Sequence, residues 1–107
     1  ELSLGIVDLD GFKLINDTLG HRAGDRVLQG AAAVLSAGVR RSDRVFRYGG
    51  EEFAILMPET GELAAAAALD RVRRALAEQA ISYGRGEAQV RCSIGVTTYQ
   101  SGESEEE

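Results

Sequence analysis

The chain begins with an apolar run, residues 2–7, that stops at the acidic turn Asp8-Leu9-Asp10-Gly11. An uninterrupted apolar run of this length, β-branched at its end, is typical of a strand buried on both faces. Such a strand lies inside a sheet, so we expect other strands to pair with both of its edges. Asp8 and Asp10 share one face if the strand continues through them, and diverge if the turn starts early. The sequence therefore predicts a buried central strand with an acidic carboxyl end.

Further elements follow, giving the order β-α-α-β-β-α-β. Apolar periodicity and glycine positions predict helices over 12–19, 23–39 and 61–80, hairpin strands over 44–48 and 51–57, and a last strand over 90–99. Residues 83–86 are predicted to form a glycine-containing loop. With right-handed crossovers this order closes as a ferredoxin-like α+β sandwich, βααββαβ, with a central antiparallel sheet and helices on one face. The first strand then lies between the third and the fourth.

The charge of the chain is concentrated at its end. Lysine and arginine together number 12 against 17 acids, a net charge of −5, and four of the acids lie in residues 103–107. We therefore divide the chain into one domain, 1–102, and an acidic tail, 103–107, that is expected to be disordered. The domain is nearly neutral, whereas binding of a nucleic-acid polymer usually needs a basic face, so the charge argues against such a ligand. Any anion that the domain binds is expected to be small.

Composition excludes three other classes of protein. No apolar run approaches the ~20 residues of a membrane-spanning helix, and the hydrophobic content of 44% is too high for a disordered chain. The single cysteine, Cys92, cannot form an internal disulfide. Because Cys92 alternates with core residues of the last strand, we predict that it packs in the core.

Four carboxylates are expected to meet at one end of the sheet. In the predicted topology the carboxyl end of the first strand lies beside the start of the third, which brings Asp8 next to Glu51, with Asp10 and Glu52 close by. Oxygen ligands gathered in this way suit Mg²⁺, which takes one or two protein carboxylates and completes its shell with waters and substrate phosphates. In the alternative interpretation these acids are only solvent-exposed turn and hairpin residues.

Polar and small residues flank the junction of the first two helices: Asn16, Asp17, His21, Gly24 and Asp25. Asn and Gly accept left-handed backbone conformations and Asp caps helices, so in one interpretation these residues only mark where the two helices begin and end. In the other they read a base, because a carboxylate accepts from the N1–H and N2–H₂ of guanine and an Asn amide serves its O6 or N3. Both interpretations are open from the residues alone.

Taken together, these motifs resemble the GGDEF domain of the diguanylate cyclase family. The resemblance follows four segments in order: DLDGFKLIND at 8–17, GHRAGD at 20–25, RYGGEEF at 47–53 and SIGV at 93–96. It covers residues 1–102, and Glu51 makes the signature its GGEEF variant. The family's N-terminal helix with its wide turn, and its closing helix and strand, have no counterpart here. The domain is therefore expected to be truncated at both ends.

The resemblance implies a nucleotidyl cyclase, palm-like in fold, that condenses two GTP into cyclic di-GMP and releases pyrophosphate. It implies two Mg²⁺ per active site, with Mn²⁺ as an alternative ion, and a catalytic homodimer in which two GTP-loaded sites face each other. It further implies a cytoplasmic location and an upstream sensory or receiver domain, in a parent protein that is either soluble or anchored to the membrane outside this sequence. Without the closing, phosphate-gripping segment, residues 1–107 alone are expected to be a weak or inactive cyclase.

The resemblance also implies roles for particular residues. The implied metal ligands are Asp8, the carbonyl group of Leu9, Glu51 and Glu52, and Glu51 is also the implied base for the ribose 3′-hydroxyl. The implied substrate-binding residues are Asn16 and Asp25 for guanine, and Lys13, Gly49 and Gly50 for the phosphates. The implied product-inhibition site consists of Arg40, Asp43 and Arg71. Apart from the family spacing, Arg40 and Asp43 are simply a basic helix end and a turn.

Two other functions stay open from the sequence. A GGDEF-like module could bind GTP or cyclic di-GMP without turnover and regulate a partner, and a related nucleotidyl cyclase could use a different base. The intact carboxylates Asp8 and Glu51 favour the cyclase, because a receptor without catalytic activity has no need of metal ligands.

Overall fold

The computed structural model describes residues 1–100. Its elements are β1 (Leu2–Asp10), α1 (Phe12–Leu19), α2 (His21–Ala37), β2 (Arg44–Arg47), β3 (Glu52–Pro58), α3 (Glu62–Glu78), β4 (Ile81–Ser82), β5 (Glu87–Ala88) and β6 (Arg91–Tyr99). The three helices occur where the sequence predicts them, within two residues at either end. None of the helices in this part of the chain is long and apolar enough to cross a membrane. The predicted acidic tail, 103–107, lies outside the described residues.

The main sheet has the strand order β2-β3-β1-β6, and each neighbouring pair is antiparallel. β1 is therefore central, between β3 and the last strand. This order confirms the predicted ferredoxin-like α+β sandwich. It also brings the carboxyl end of β1 beside the start of β3, where the acidic residues lie.

A small second sheet, β4 paired with β5, was not predicted, and the predicted loop at 83–86 is the connection between its two strands. Its strands have only two residues each, which is too short for any periodicity to be visible in the sequence. The hairpin turns at Gly84, whose φ of +104° favours glycine, and the Tyr83 amide donates to the Gly86 carbonyl oxygen at 3.0 Å. Ile81 anchors the hairpin in the core.

β1 is buried on only one face, and the prediction of burial on both faces is wrong. Val7 and Leu9 face the helices and are fully or almost fully buried, whereas Ile6 on the other face is 37% exposed. The reason is that α2 and α3 both lie on the same side of the sheet and contribute their buried residues to one core. Asp8, which alternates with Val7 and Leu9, therefore points to the open face.

The core lies between this face of the sheet and the two long helices. Alternate residues of β3, from Phe53 through Met57, are at most 1% exposed, and they pack with Leu35 of α2 and Leu76 of α3. Each fully buried side chain of this size contributes roughly 1.5–3 kcal/mol. Cys92 is buried in the same cluster, as predicted. The core thus fixes the strand ends that carry the polar residues.

Candidate active site

The acidic edge is formed by the ends of β1 and β3. In the ladder Asp8 lies directly opposite Glu52, and the amide of Leu9 donates to the carbonyl oxygen of Glu51 at 3.1 Å. Asp8 was expected beside Glu51, so the observed register differs by one residue. Side chains that are directly opposite in an antiparallel pair project from the same face with β-carbons about 4.5–5.5 Å apart. The Asp8 and Glu52 side chains therefore leave the sheet side by side on its open face.

The carboxylates at this edge differ in their availability to a ligand. The Ser93 hydroxyl donates to Asp10 Oδ1 at 2.9 Å, so Asp10 already has a partner. The side chains of Asp8, Glu51 and Glu52 form no hydrogen bond or ion pair within residues 1–100. Asp8 is exposed, and the two glutamates are half-buried. Three acidic side chains thus stand at the strand ends without an internal counter-charge.

The donor set matches what Mg²⁺ takes from proteins, but the predicted convergence of four carboxylates is found only in part. Across the described 100 residues, no three His, Cys, Asp or Glu side chains come close enough to enclose a metal ion. Mg²⁺ needs only one or two protein carboxylates, because waters and substrate phosphates fill the remaining positions. The Asp8–Glu52 pair, with Glu51 beside it, fits a metal held jointly by protein and substrate.

The turn between β2 and β3 is held by Arg47. Its Nε donates to the carbonyl oxygen of Gly49 at 3.2 Å and its Nη2 to that of Gly50 at 2.9 Å. A β-carbon at position 49 would collide with Glu52 Oε1, so glycine is required for the Glu52 carboxylate to fold back over the turn. Position 50 has open space around it. The turn is thus tied at one side by Arg47 and lies against Glu52 at the other.

The role of Arg47 was not anticipated from the sequence. Its position two and three residues before the two glycines was the available signal, since an arginine fork reaches carbonyl groups at that separation. Because the guanidinium uses two donors on adjacent carbonyls, it orients the turn as well as attaching it.

The junction of α1 and α2 brings Asn16 against Gly24. A β-carbon at position 24 would collide with Asn16 Oδ1 and would lie 3.3 Å from Phe12 Cζ. Asn16 is half-buried, and Asp25, the residue after Gly24, is exposed and has no partner in the described chain. α2 begins at His21 with Gly20 as its N-cap and without a side-chain cap. Asp25 is therefore not a helix cap, and its carboxylate is free.

Lys13 lies where the chain leaves the acidic edge for α1. Gly11 has a φ of 67° and connects β1 to α1, and its carbonyl oxygen accepts from the Leu14 amide at 3.1 Å. The Lys13 side chain is exposed and unpaired within the described part. A cation thus follows directly on the strand end that carries Asp8.

Arg40, Asp43 and Arg71 line one cavity of about 180 Å³ at the opposite end of β3. The Asp43 side chain is fully buried, and it accepts from the Arg40 amide at 2.9 Å and from Arg40 Nη2 at 3.4 Å. The same guanidinium donates to the carbonyl oxygen of Pro58 at 3.3 Å and to Thr60 Oγ1. Arg40 is thus more than a basic helix end, because it links the turn after α2 to the turn after β3.

This α+β sandwich, with free carboxylates at neighbouring strand ends, has the architecture expected of a nucleotidyl cyclase domain. The chain belongs to the GGDEF family: the family model "Diguanylate cyclase, GGDEF domain" matches residues 1–107. Diguanylate cyclase A of Treponema denticola is 43% identical over 98 residues, which cover 92% of this chain and 26% of that protein. The chain spans 16% to 26% of the length of the first curated relatives it matches.

Solved structures agree with this assignment. The diguanylate cyclase SiaD of Pseudomonas aeruginosa, solved with its activator SiaC, is 39% identical with a TM-score of 0.87, over 98% of this chain and 40% of that one. The active GGEEF domain of a diguanylate cyclase from Vibrio cholerae is 31% identical with a TM-score of 0.83, over 95% of this chain and 64% of that one. The GGDEF domain of DgcB from Caulobacter crescentus, in complex with c-di-GMP, is 30% identical with a TM-score of 0.83, over 95% of this chain and 61% of that one.

Proposed function

We propose that the protein condenses two GTP molecules into cyclic di-GMP with release of pyrophosphate. The observation that carries this proposal is the acidic edge, where Asp8 is paired with Glu52 and Glu51 stands beside them, all without an internal counter-charge. Similarity to a GGEEF domain described as active supports it further, because that domain shares the glutamate variant of the signature. A domain that only binds a nucleotide would gain nothing from unpaired acids at this position.

Divalent ions are assigned to Asp8, Glu51 and Glu52, with the carbonyl group of Leu9 as a further oxygen. Two Mg²⁺, or Mn²⁺ as the alternative, would polarise the α-phosphate and stabilise the attacking and leaving oxygens. Glu51 is the proposed base that accepts the proton of the ribose 3′-hydroxyl group. Glu51 is half-buried and forms no hydrogen bond or ion pair within the described residues, so its two carboxylate oxygens are available for both roles.

Guanine is assigned to Asn16 and Asp25. The Asp25 carboxylate accepts from N1–H and N2–H₂, and the Asn16 amide bonds O6 or N3. Adenine would leave these groups unpaired, which costs about 1–3 kcal/mol for each buried group. Lys13 and the backbone at Gly49 and Gly50 are assigned to the phosphates, because the lysine supplies a cation and the glycines permit close approach.

The partners of the protein follow from this chemistry. Each subunit holds one GTP, so the reaction needs a homodimer with two sites facing each other. We further propose cytoplasmic catalysis, where GTP is available, control by an upstream sensory or receiver domain, and no nucleic-acid polymer as ligand. Arg40, Asp43 and Arg71 are assigned to the product, since their shared cavity combines two cations with a buried carboxylate.

The test is incubation with GTP and Mg²⁺, followed by identification of the product by mass. The assay uses the longest natural polypeptide that contains residues 1–107, with Glu51→Ala as the inactive control and Glu78→Ala, an exposed acid on α3, as the matched control. We expect cyclic di-GMP from the parent and from Glu78→Ala, and none from Glu51→Ala. Binding of GTP without product would favour the receptor alternative, and turnover of ATP would favour a cyclase with another base.

A further inference from the structure

A basic groove lies between the first turns of α2 and the β4–β5 hairpin, and it shares no residue with the sites assigned above. Its volume is about 340 Å³, within the range of about 300–1,000 Å³ of small-molecule sites. The groove is lined by Leu19, Arg22, Ala23, Arg26, Tyr83, Gly84 and Arg85. Three of these residues are arginines, and no acid is among them.

The charges of this groove are not neutralised within the described residues. Arg22, Arg26 and Arg85 are exposed, and none of them forms a hydrogen bond or ion pair in residues 1–100. By contrast, Arg73 and Arg74 of α3 both pair with Asp70, at 2.7 and 3.0 Å. In a chain of net charge −5, three unpaired arginines around one groove form a local positive site.

The two walls of the groove are fixed against each other. The hairpin rests directly on α2, because a β-carbon at Gly30 would collide with the Ile81 side chain. Across the groove, a β-carbon at Gly84 would lie 3.0 Å from Arg26 Nη1. Glycine at position 84 therefore serves both the turn and the guanidinium. The arrangement leaves Arg26 extended from the helix onto the hairpin, beside Tyr83.

The chemistry of these residues selects a phosphate-bearing ligand. Arg22 and Arg26 are one helical turn apart on the same face of α2, so their guanidinium groups can approach one ligand together. A guanidinium offers two parallel N–H donors that match phosphate oxygens. Half-buried Tyr83 and the apolar Leu19 and Ala23 add surface for a non-polar part of the ligand.

We propose that the groove between α2 and the β4–β5 hairpin binds a small phosphate-bearing anion, held by Arg22, Arg26 and Arg85. The free diphosphate ion and the phosphate group of a nucleotide share this chemistry. In the nucleotide case the base would stack on the Tyr83 ring, because bases stack on aromatic side chains.

Calorimetric titration of the protein with sodium pyrophosphate tests the proposal. The titration is done in EDTA, so that no metal ion links the pyrophosphate to the acidic edge. We expect saturable binding to the parent, and affinities about tenfold lower or more for Arg22→Gln and Arg26→Gln. The affinity of Arg26→Lys, which retains the charge without the forked guanidinium group, should lie between those of the parent and Arg26→Gln. The matched control is Arg74→Gln, which removes the same charge from α3 and should bind like the parent.

Unchanged affinity in Arg22→Gln and Arg26→Gln would overturn the proposal, as would an equal loss in Arg74→Gln, which would indicate non-specific charge attraction.

Adenosine monophosphate distinguishes the two sources of phosphate, since the proposed guanine readers do not accept adenine. If it binds more tightly than inorganic phosphate and Tyr83→Leu removes the difference, the ligand is a nucleotide. If the two bind equally, the groove recognises the phosphate alone. If none of these anions binds, the proposal is overturned. Because binding is measured without GTP turnover, this result is independent of cyclase activity.

Discussion

Asp8 of β1 lies directly opposite Glu52 of β3, and neither carboxylate has an internal partner in the described chain. Like charges that are directly opposite in a sheet destabilise it by roughly 0.2–1 kcal/mol. The pair therefore costs stability in the absence of a cation, and a divalent ion between the strand ends would offset that cost.

This relationship predicts that Mg²⁺ stabilises the parent protein but not the variant Asp8→Asn. Without divalent ions, Asp8→Asn should melt higher than the parent by ~1–8 °C, because it removes the repulsion at a domain size where 1 kcal/mol shifts Tm by about 4–8 °C. Added Mg²⁺ should raise the Tm of the parent and leave that of Asp8→Asn unchanged. Thermal melts in EDTA and in Mg²⁺ measure both effects. A parent that melts at the same temperature in both buffers contradicts the metal assignment.

Gly24→Ala tests the contact between α2 and Asn16. Alanine gains about 1 kcal/mol of helix propensity over glycine, so intrinsic propensity alone predicts a more stable protein. The new β-carbon instead collides with Asn16 Oδ1 and displaces the amide. We expect GTP affinity to fall by about tenfold, the value of one hydrogen bond of up to ~1.5 kcal/mol.

The matched control for Gly24→Ala is Gly95→Ala on β6, because a β-carbon at position 95 meets nothing within 4 Å. Its GTP affinity should equal that of the parent. Titration calorimetry with GTP compares the three proteins. If Gly24→Ala binds GTP as the parent does, Asn16 is not a base reader.

Much of the fold could be predicted from the sequence because its signals are local. The predicted limits of α1 coincide with those observed, since Gly11 and Gly20 stop the helix at both ends. The position of β1 between β3 and β6 followed from the order of elements and the handedness of crossovers. The burial of β1 on one face only could not be predicted from its apolar run, because it depends on which side of the sheet α2 and α3 pack.

The details of the candidate site depended on contacts between distant residues. The register that pairs Asp8 with Glu52 is set by packing, since a slip of one residue would turn Phe53 out of the core. The bonds from Arg40 to Pro58 and Thr60 span 18 and 20 positions, and no pattern in the sequence marks them. Sequence reasoning located the strand ends, and three-dimensional packing decided which side chains meet there.

Arg47 is predicted to position the Gly49-Gly50 turn for catalysis. Arg47→Ala removes both of its bonds to the turn and should lower kcat about tenfold or more, with a smaller change in KM and little change in Tm. Arg47→Lys should recover part of the loss, because one donor replaces the fork. The matched control is Arg44→Lys on the same strand, whose guanidinium donates to the carbonyl oxygens of Arg41 and Asp43 away from the turn. Equal kcat for the parent and Arg47→Ala would remove the positioning role.

Cys92 is predicted to be unreactive in the folded protein. Burial, assisted by the negative charge of Asp10, raises the pKa of the thiol from 9.0 to about 11. At pH 8 the thiolate fraction is then about a hundredfold lower than in the unfolded chain, and the alkylation rate should fall at least as much. The measurement is iodoacetamide labelling followed by mass, in buffer and in denaturant. Similar rates in the two conditions would contradict this burial.

The same shift predicts how stability depends on pH. Because the pKa of the Cys92 thiol is higher in the folded state, the protonated thiol favours folding. Its contribution to the free energy of unfolding is fully present below pH 9.0 and is lost progressively as the pH rises from there towards about 11. Cys92→Ala lacks the titrating group. The parent should therefore lose more Tm than Cys92→Ala over this interval, and parallel Tm curves would be the contrary result.

Arg71→Ala is predicted to relieve inhibition by cyclic di-GMP without changing the initial rate. Arg71 lines the cavity with Arg40 and Asp43 but forms no hydrogen bond or ion pair in residues 1–100, so its loss leaves the fold intact. The cavity borders Met57 and Thr60, about six residues of ~3.3 Å each, or ~20 Å, from the acidic edge at Glu52. A contact at this distance cannot touch the reacting phosphates. The inhibition constant should rise about tenfold, at ~1–3 kcal/mol for an arginine paired with a guanine edge.

Arg40→Ala separates binding of the product from support of the fold. It should relieve inhibition as Arg71→Ala does, but it should also lower Tm, because it removes the bonds to Pro58 and Thr60 and leaves buried Asp43 with fewer donors. Progress curves with and without added cyclic di-GMP, together with thermal melts, compare the parent and the two variants. Equal inhibition of the parent and Arg71→Ala would reduce this cavity to a structural role, with Arg40 only tying the turn after α2 to the turn after β3.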